Sequence, residues 1–200
     1  FRQEGYRVVG AGKIFHHTAG NHPPNQWDDY QPLRFRDDPW FRGSRLNYPW
    51  SKVEPFPVGF PFSGLKGLPH ESDWGVIPRT EEDYDDTRSA DYAVDFLNNM
   101  DEGRPFFLAC GFFRPHLPWY IPQRFLDLYP LERVQLPAVL DRDLDDVPPV
   151  GREFAEARQS DWNLIRSAGK WRNAVQAYLA SISYADHQIG RVIDAVSYTH

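Results

Sequence analysis

Two stretches of this 200-residue chain pair cationic side chains with proton carriers. They are Gly12-Lys13-Ile14-Phe15-His16 and Arg114-Pro115-His116-Leu117-Pro118-Trp119. A fixed lysine or arginine can neutralise an oxyanion, and a histidine can bind an anion or deliver a proton to a leaving group. Each stretch follows a β-prone segment, and in open α/β folds ligands sit beyond strand ends. Two such stretches on one chain predict a shared anion-binding, acid–base site. Taken singly, each has a plainer explanation. Lys13 and His16 are also compatible with an ordinary surface pair. The two prolines around His116 fix where Arg114 and His116 point, which equally suits a strand exit with a hydrogen-bonded histidine.

Other chemistries fit less well. A phosphate-binding P-loop needs a glycine five residues before Gly12 and a hydroxyl after Lys13; Arg7 and Ile14 stand there instead. A dinucleotide fingerprint needs glycine where Phe15 stands. His16, His17 and His22 match no zinc spacing, and no cysteine or acid completes the set, so no metal site is assigned. The acidic run Asp141, Asp143, Asp145 and Asp146 lacks EF-hand spacing and reads as a solvated loop. With 22 basic and 28 acidic residues the net charge is −6, whereas general nucleic-acid binders are usually basic, so local cations must hold any anion. Cys110 is the single cysteine, which rules out an intrachain disulfide. No apolar run approaches the about 18 residues of a membrane span.

These residues need elements to hold them. Phe1 to Tyr6 reads as a helix end stopped by Gly5, and residues 6–12 as a strand. A long stretch rich in Pro, Gly, Trp and Asp, about residues 18–86, lacks periodicity and reads as an ordered excursion or pocket wall. Thr87 is expected to cap a helix over about 88–101, stopped by Gly103. Pro105 to Phe113 is continuously apolar, as a strand covered on both faces would be. Pro122 opens a short helix to Tyr129. Residues 130–149 read as irregular. The last helix, about 171–195, carries the stripe Val175, Tyr178, Leu179, Ile182, Ala185, Ile189, Val192 and Ile193, and Asp186 is placed on that apolar side. The order predicts an α/β sandwich with a largely parallel sheet and both long helices packed on its faces.

With these residues in hand, the chain resembles the sulfatases of the alkaline phosphatase superfamily, in particular their iduronate-2-sulfatase-like branch. Four blocks match in order: Gly5-Tyr6 with Gly12-Lys13-Ile14-Phe15-His16; Pro105 to Pro122 (PFFLACGFFRPHLPWYIP); Phe125 to Pro130 (FLDLYP); and Tyr178 to Asp194 (YLASISYADHQIGRVID). The resemblance implies an alkaline-phosphatase-like sandwich with helices on both faces of a largely parallel central sheet. Residues 1–200 would form the middle part of one catalytic domain. It implies hydrolysis of a sulfuric ester, with sulfated sugar or glycan as partner, in a periplasmic, secreted or lysosomal setting. Lys13 and His16 would contact the sulfate, and His116 would protonate the leaving alcohol. Arg114 and Trp119, on the same turn, are expected to face the substrate.

The family also uses calcium and a formylglycine made from a Cys or Ser in a C/S-x-P-x-R motif. No such motif occurs here: Cys110-Gly111-Phe112-Phe113-Arg114 lacks the proline. The family's metal-binding aspartates and histidine are likewise absent and would lie outside these 200 residues, leaving the isolated chain inactive. Arg114 stands where the family has lysine, keeping the charge but not the shape. The sequence leaves open a phosphate or phosphonate ester hydrolase of the same superfamily, and a non-catalytic glycan-binding module using the tryptophan-rich region.

Overall fold

The computed structural model describes residues 1–15, 24–31, 59–100, 103–140, 142–157 and 159–199. The histidines 16, 17 and 22, with Trp40 and Trp50 of the irregular region, lie outside them.

Strand β1 (Arg7–Gly12) sits at the centre of a three-stranded parallel sheet, between β2 (Asp29–Gln31) and β4 (Phe106–Gly111). Its register with β4 runs from Arg7 opposite Phe106 to Gly12 opposite Gly111. Alternation divides the two strands between faces. Val9 and Leu108 join Phe96, Leu97 and Ala195 on one side. On the other, Phe107 stacks on Phe1 with ring centroids 4.4 Å apart, and Trp27 packs across Gly10. The first side is covered by helix α1 (Asp85–Asn98); the described cover on the second is aromatic side chains. All six β4 residues are half-buried, less covered than their unbroken apolarity predicts.

A second small parallel sheet pairs β3 (Trp74–Gly75) with β5 (Trp119–Tyr120). Beneath it lies Asp73, fully buried, which accepts hydrogen bonds from Phe62 N–H (2.8 Å), Ser63 N–H (3.1 Å) and Tyr120 O–H (2.9 Å). The Ser63 hydroxyl donates to it as well, and these four donors around one carboxylate hold the loop to the sheet. The short helix α2 (Gln123–Leu126) follows Pro122 as expected but ends three residues before Tyr129. Helices α3 (Pro149–Glu156) and α4 (Ser160–Ser167) were not anticipated. Pro149 in the first turn of α3 is a start signal that was readable.

Two expectations change. Helix α1 begins at Asp85, two residues before Thr87. Thr87 is no cap: its N–H donates to the Tyr184 hydroxyl at 3.0 Å, and its own hydroxyl lies 2.8 Å from the same oxygen. Helix α5 (Trp171–Thr199) buries a different face from the one its large apolar residues mark. Ala174, Ala177, Ala180, Ser181, Tyr184, Ala185 and Gln188 are inside, whereas Tyr178, Ile182, Ile189 and Ile193 are exposed. Small side chains let α5 approach α1 closely, and Tyr184 and Gln188 then reach Thr87 across the interface. Asp186 is exposed, not set against the core. No helix among the described residues is long and apolar enough to cross a membrane.

Candidate active site at the paired strand ends

β1 and β4 end together, and the chain turns sharply at both. Lys13 N–H donates to Gly111 C=O at 2.8 Å. Gly12 has φ +75°, and a Cβ there would stand 1.9 Å from the Gly111 oxygen; a Cβ on Gly111 would meet the Lys13 oxygen at 2.1 Å. Only two glycines let these backbones cross so closely. Tyr30 braces the crossing from the side, its hydroxyl donating to Gly12 C=O at 2.7 Å, and burial holds its phenol above the usual range.

The crossing sends the Lys13 side chain over the ring of Phe113, its Nζ 4.7 Å from the ring centroid. Phe113 is buried, and its N–H donates to Asp86 Oδ1 at 2.6 Å, while Arg114 N–H donates to Asp86 Oδ2 at 2.9 Å. The next turn closes with His116 N–H donating to Phe113 C=O at 2.9 Å. This brings the imidazole against the same ring, centroids 4.8 Å apart. His116 Nδ1 lies 2.5 Å from Leu117 C=O. A carbonyl only accepts, so Nδ1 carries the hydrogen and Nε2 is the nitrogen that gains or loses a proton. The imidazole is exposed to solvent.

The structure therefore gathers Lys13 and His116, 103 residues apart in sequence, around one aromatic ring. Arg114 is placed differently from expectation. It is 3% exposed, its Nε donates to Tyr120 C=O at 3.0 Å, and it braces the turn against β5 from beneath. Trp119 lies at the side, its indole N–H donating to Pro115 C=O at 2.9 Å and its ring leaning on Tyr178 at 5.3 Å. His16 falls outside the described residues. Phe113 and Asp86 escaped the sequence reading. Phe113 looked like one more residue of an apolar run, and nothing local tells an Asp at a helix start to reach a strand exit 27 residues away.

The groups that the resemblance implies do not fit this chain's own residues. Among the described residues no three His, Cys, Asp or Glu side chains come together as metal ligands. Cys110 lies inside β4 with its thiol 3.6 Å from Ser89 C=O. Burial first, and then the charge of Asp86, push that thiol up to about 12, so it is protonated at neutral pH. Such a thiol is a packing group.

Residues 2–199 match the family model described as Sulfatase. A sulfatase of Formosa agariphila is 34% identical over 199 residues, covering 98% of this chain and 37% of that protein. The human iduronate 2-sulfatase is 31% identical over 208 residues, with 98% and 36% covered. An arylsulfatase of Clostridium perfringens is 34% identical over 108 residues, 52% of this chain and 21% of its own length. The chain thus spans little more than a third of the relatives that match it throughout. The ordered sequence blocks, the parallel sheet and a match over nearly the whole chain lead to one conclusion: this chain belongs to the sulfatase family.

Proposed function

We propose that the parent protein hydrolyses sulfuric esters of sugars or glycans, and that residues 1–200 form the middle part of its single catalytic domain. The observation that carries this reading is the pair formed by Lys13 and His116 about Phe113, at 4.7 and 4.8 Å, beside the ends of two paired parallel strands. His16, three residues beyond Lys13, takes its role as a sulfate contact from the family likeness. Trp119 forms the rim, and Arg114 adds positive charge from below. Calcium, the formylglycine nucleophile and their ligands are assigned to parts of the parent outside these residues. Its setting is periplasmic, secreted or lysosomal, by the same family likeness.

The work of this chain is then electrostatic and proton-transferring. Hydrolysis breaks the bond between sulfur and the alcohol oxygen as an oxygen nucleophile, supplied by the rest of the parent, bonds to sulfur, and the electron pair of the broken bond goes to the alcohol oxygen. His116 Nε2 supplies the proton that the oxygen takes up. The Lys13 ammonium offsets charge on the sulfuryl oxygens, which are anionic before and during the reaction. Groups fixed where charge develops lower the barrier because they need no reorganisation.

The test uses the full-length parent and two sulfate esters, a sugar sulfate with a poor leaving alcohol and an activated aryl sulfate. His116→Ala is expected to lower kcat on the sugar sulfate by about 10²–10⁴-fold and on the aryl sulfate far less. Lys13→Ala is expected to weaken turnover of both alike. Equal losses for His116→Ala would remove the proton-donor role. Release of phosphate but not sulfate would move the protein to phosphoryl chemistry, and binding of sulfated glycan without turnover would make it a binding module.

A further inference from the structure

A carboxylate in the first turn of a helix ordinarily serves that helix, by bonding its free N–H groups or by facing its positive end. Asp86 is the second residue of α1, yet its two oxygens reach across to the exit of β4. Oδ1 takes Phe113 N–H at 2.6 Å, and Oδ2 takes Arg114 N–H at 2.9 Å. The side chain is fully buried. Burying a carboxylate is costly unless donors surround it, so the place chosen for one is informative. Here it grips Phe113 and Arg114, which open the turn that closes at His116.

We propose that Asp86 is the positioning residue of this site, holding the Phe113 ring and the Arg114–His116 turn so that the His116 imidazole keeps its place against that ring. The proposal rests on the roles given above to Lys13 and His116. Both oxygens act as acceptors, and only a carboxylate of this length supplies two acceptors side by side. An amide of the same shape would turn an N–H₂ toward one of the two main-chain N–H groups. The turn would shift by a fraction of an ångström, with the fold of α1 and the sheet left in place. Phe113 and the turn carry that shift to the imidazole, which packs on the ring and whose main chain closes the same turn, whereas Lys13 hangs from β1 on a flexible stem and can follow the ring.

The experiment compares wild type, Asp86→Asn, His116→Ala and the double variant in the full-length parent, using the two sulfate esters. Asp86→Asn is expected to lower kcat on the poor leaving alcohol by about 10²-fold, as small misplacements at a reacting centre do. The aryl sulfate should lose much less, and KM should hold for both. In the His116→Ala background the same change should add no further leaving-group-selective loss, because both act on one proton transfer. A merely structural carboxylate would cut both substrates equally and additively, which would overturn the proposal. A second readout needs no turnover. In ¹³C-histidine-labelled parent, the His116 ring signal should move in Asp86→Asn as the imidazole leaves the Phe113 ring current; an unmoved signal overturns the proposal. If the parent hydrolyses no sulfate ester, the functional reading fails and this signal alone decides the positioning role. Should Asp86→Asn not fold, Phe113→Leu, with the carboxylate intact, must show the same leaving-group-selective loss, and wild-type behaviour there would refute the idea.

Discussion

Lys13 meets Phe113 through the face of the ring, an interaction worth about 0.5–1 kcal/mol at an exposed site. It is one of the contacts that place the ammonium beside the His116 turn. Cys110 is a group held in one protonation state. Its thiol is raised from an ordinary 9.0 to about 12, chiefly by burial and then by Asp86. The folded state therefore keeps the proton that the unfolded state loses first. Stability from this difference is complete below about pH 9 and is lost as pH rises toward 12, at up to about 1.4 kcal/mol per pH unit. In alkaline unfolding titrations, Cys110→Ala is expected to remove that slope relative to wild type. Identical profiles for the two proteins would show that the thiol titrates normally.

At the level of elements, two parallel strands deliver Lys13 and the Arg114–His116 turn to one place. Their meeting depends on how closely the strand ends cross. Gly12→Ala has two costs, a left-handed φ of +75° and a Cβ 1.9 Å from the Gly111 oxygen. Gly64→Ala has the first alone, with φ +70° and nothing within 4 Å of the new carbon. Chemical denaturation should show a loss of about 1–2 kcal/mol for Gly64→Ala and clearly more for Gly12→Ala, with Lys13 displaced. Equal losses would mean that the strand ends separate easily. On the far side of α1, the join to α5 is polar inside. Gln188 Nε2 donates to Thr87 Oγ1 at 3.2 Å, and Arg191 links Gln188 Oε1 at 2.8 Å to Asp91 at 2.5 Å. This chain of bonds fixes the rotation of α5 and explains why its largest apolar residues face outward.

Across the whole molecule, that outward face is the least expected feature. Tyr178, Ile182, Ile189, Ile193 and Val196 are each about 40% exposed or more, at helical spacing along one side of α5. Contiguous apolar surface of this kind promotes association. The isolated 200-residue chain should accordingly bind a hydrophobic dye and self-associate on size exclusion. Ile182→Lys combined with Ile189→Lys should reduce both with little change in thermal stability, since neither side chain is in the core. Unchanged dye binding would place the sticky surface elsewhere, for example at the exposed Leu140, Val150 and Phe154.

What the sequence determined by itself was local and periodic. The apolar run at 105–113, the glycines at 10 and 12, and the proline-bounded Arg114–His116 turn specify two strands and the residues at their ends, because strand formation and proline geometry act over a few residues. The ordered blocks around them were sufficient to bring the sulfatase resemblance into view. The tertiary structure decided whatever depends on partners distant in the chain. It set the start of α1, because Tyr184 meets the Thr87 N–H that a local cap would have taken. It chose the buried face of α5, because close approach favours alanine over isoleucine there. It turned Arg114 inward to Tyr120 and gave Asp86 its two main-chain donors. A buried polar group takes whichever partner the fold brings within hydrogen-bonding reach, and no spacing along the chain encodes that.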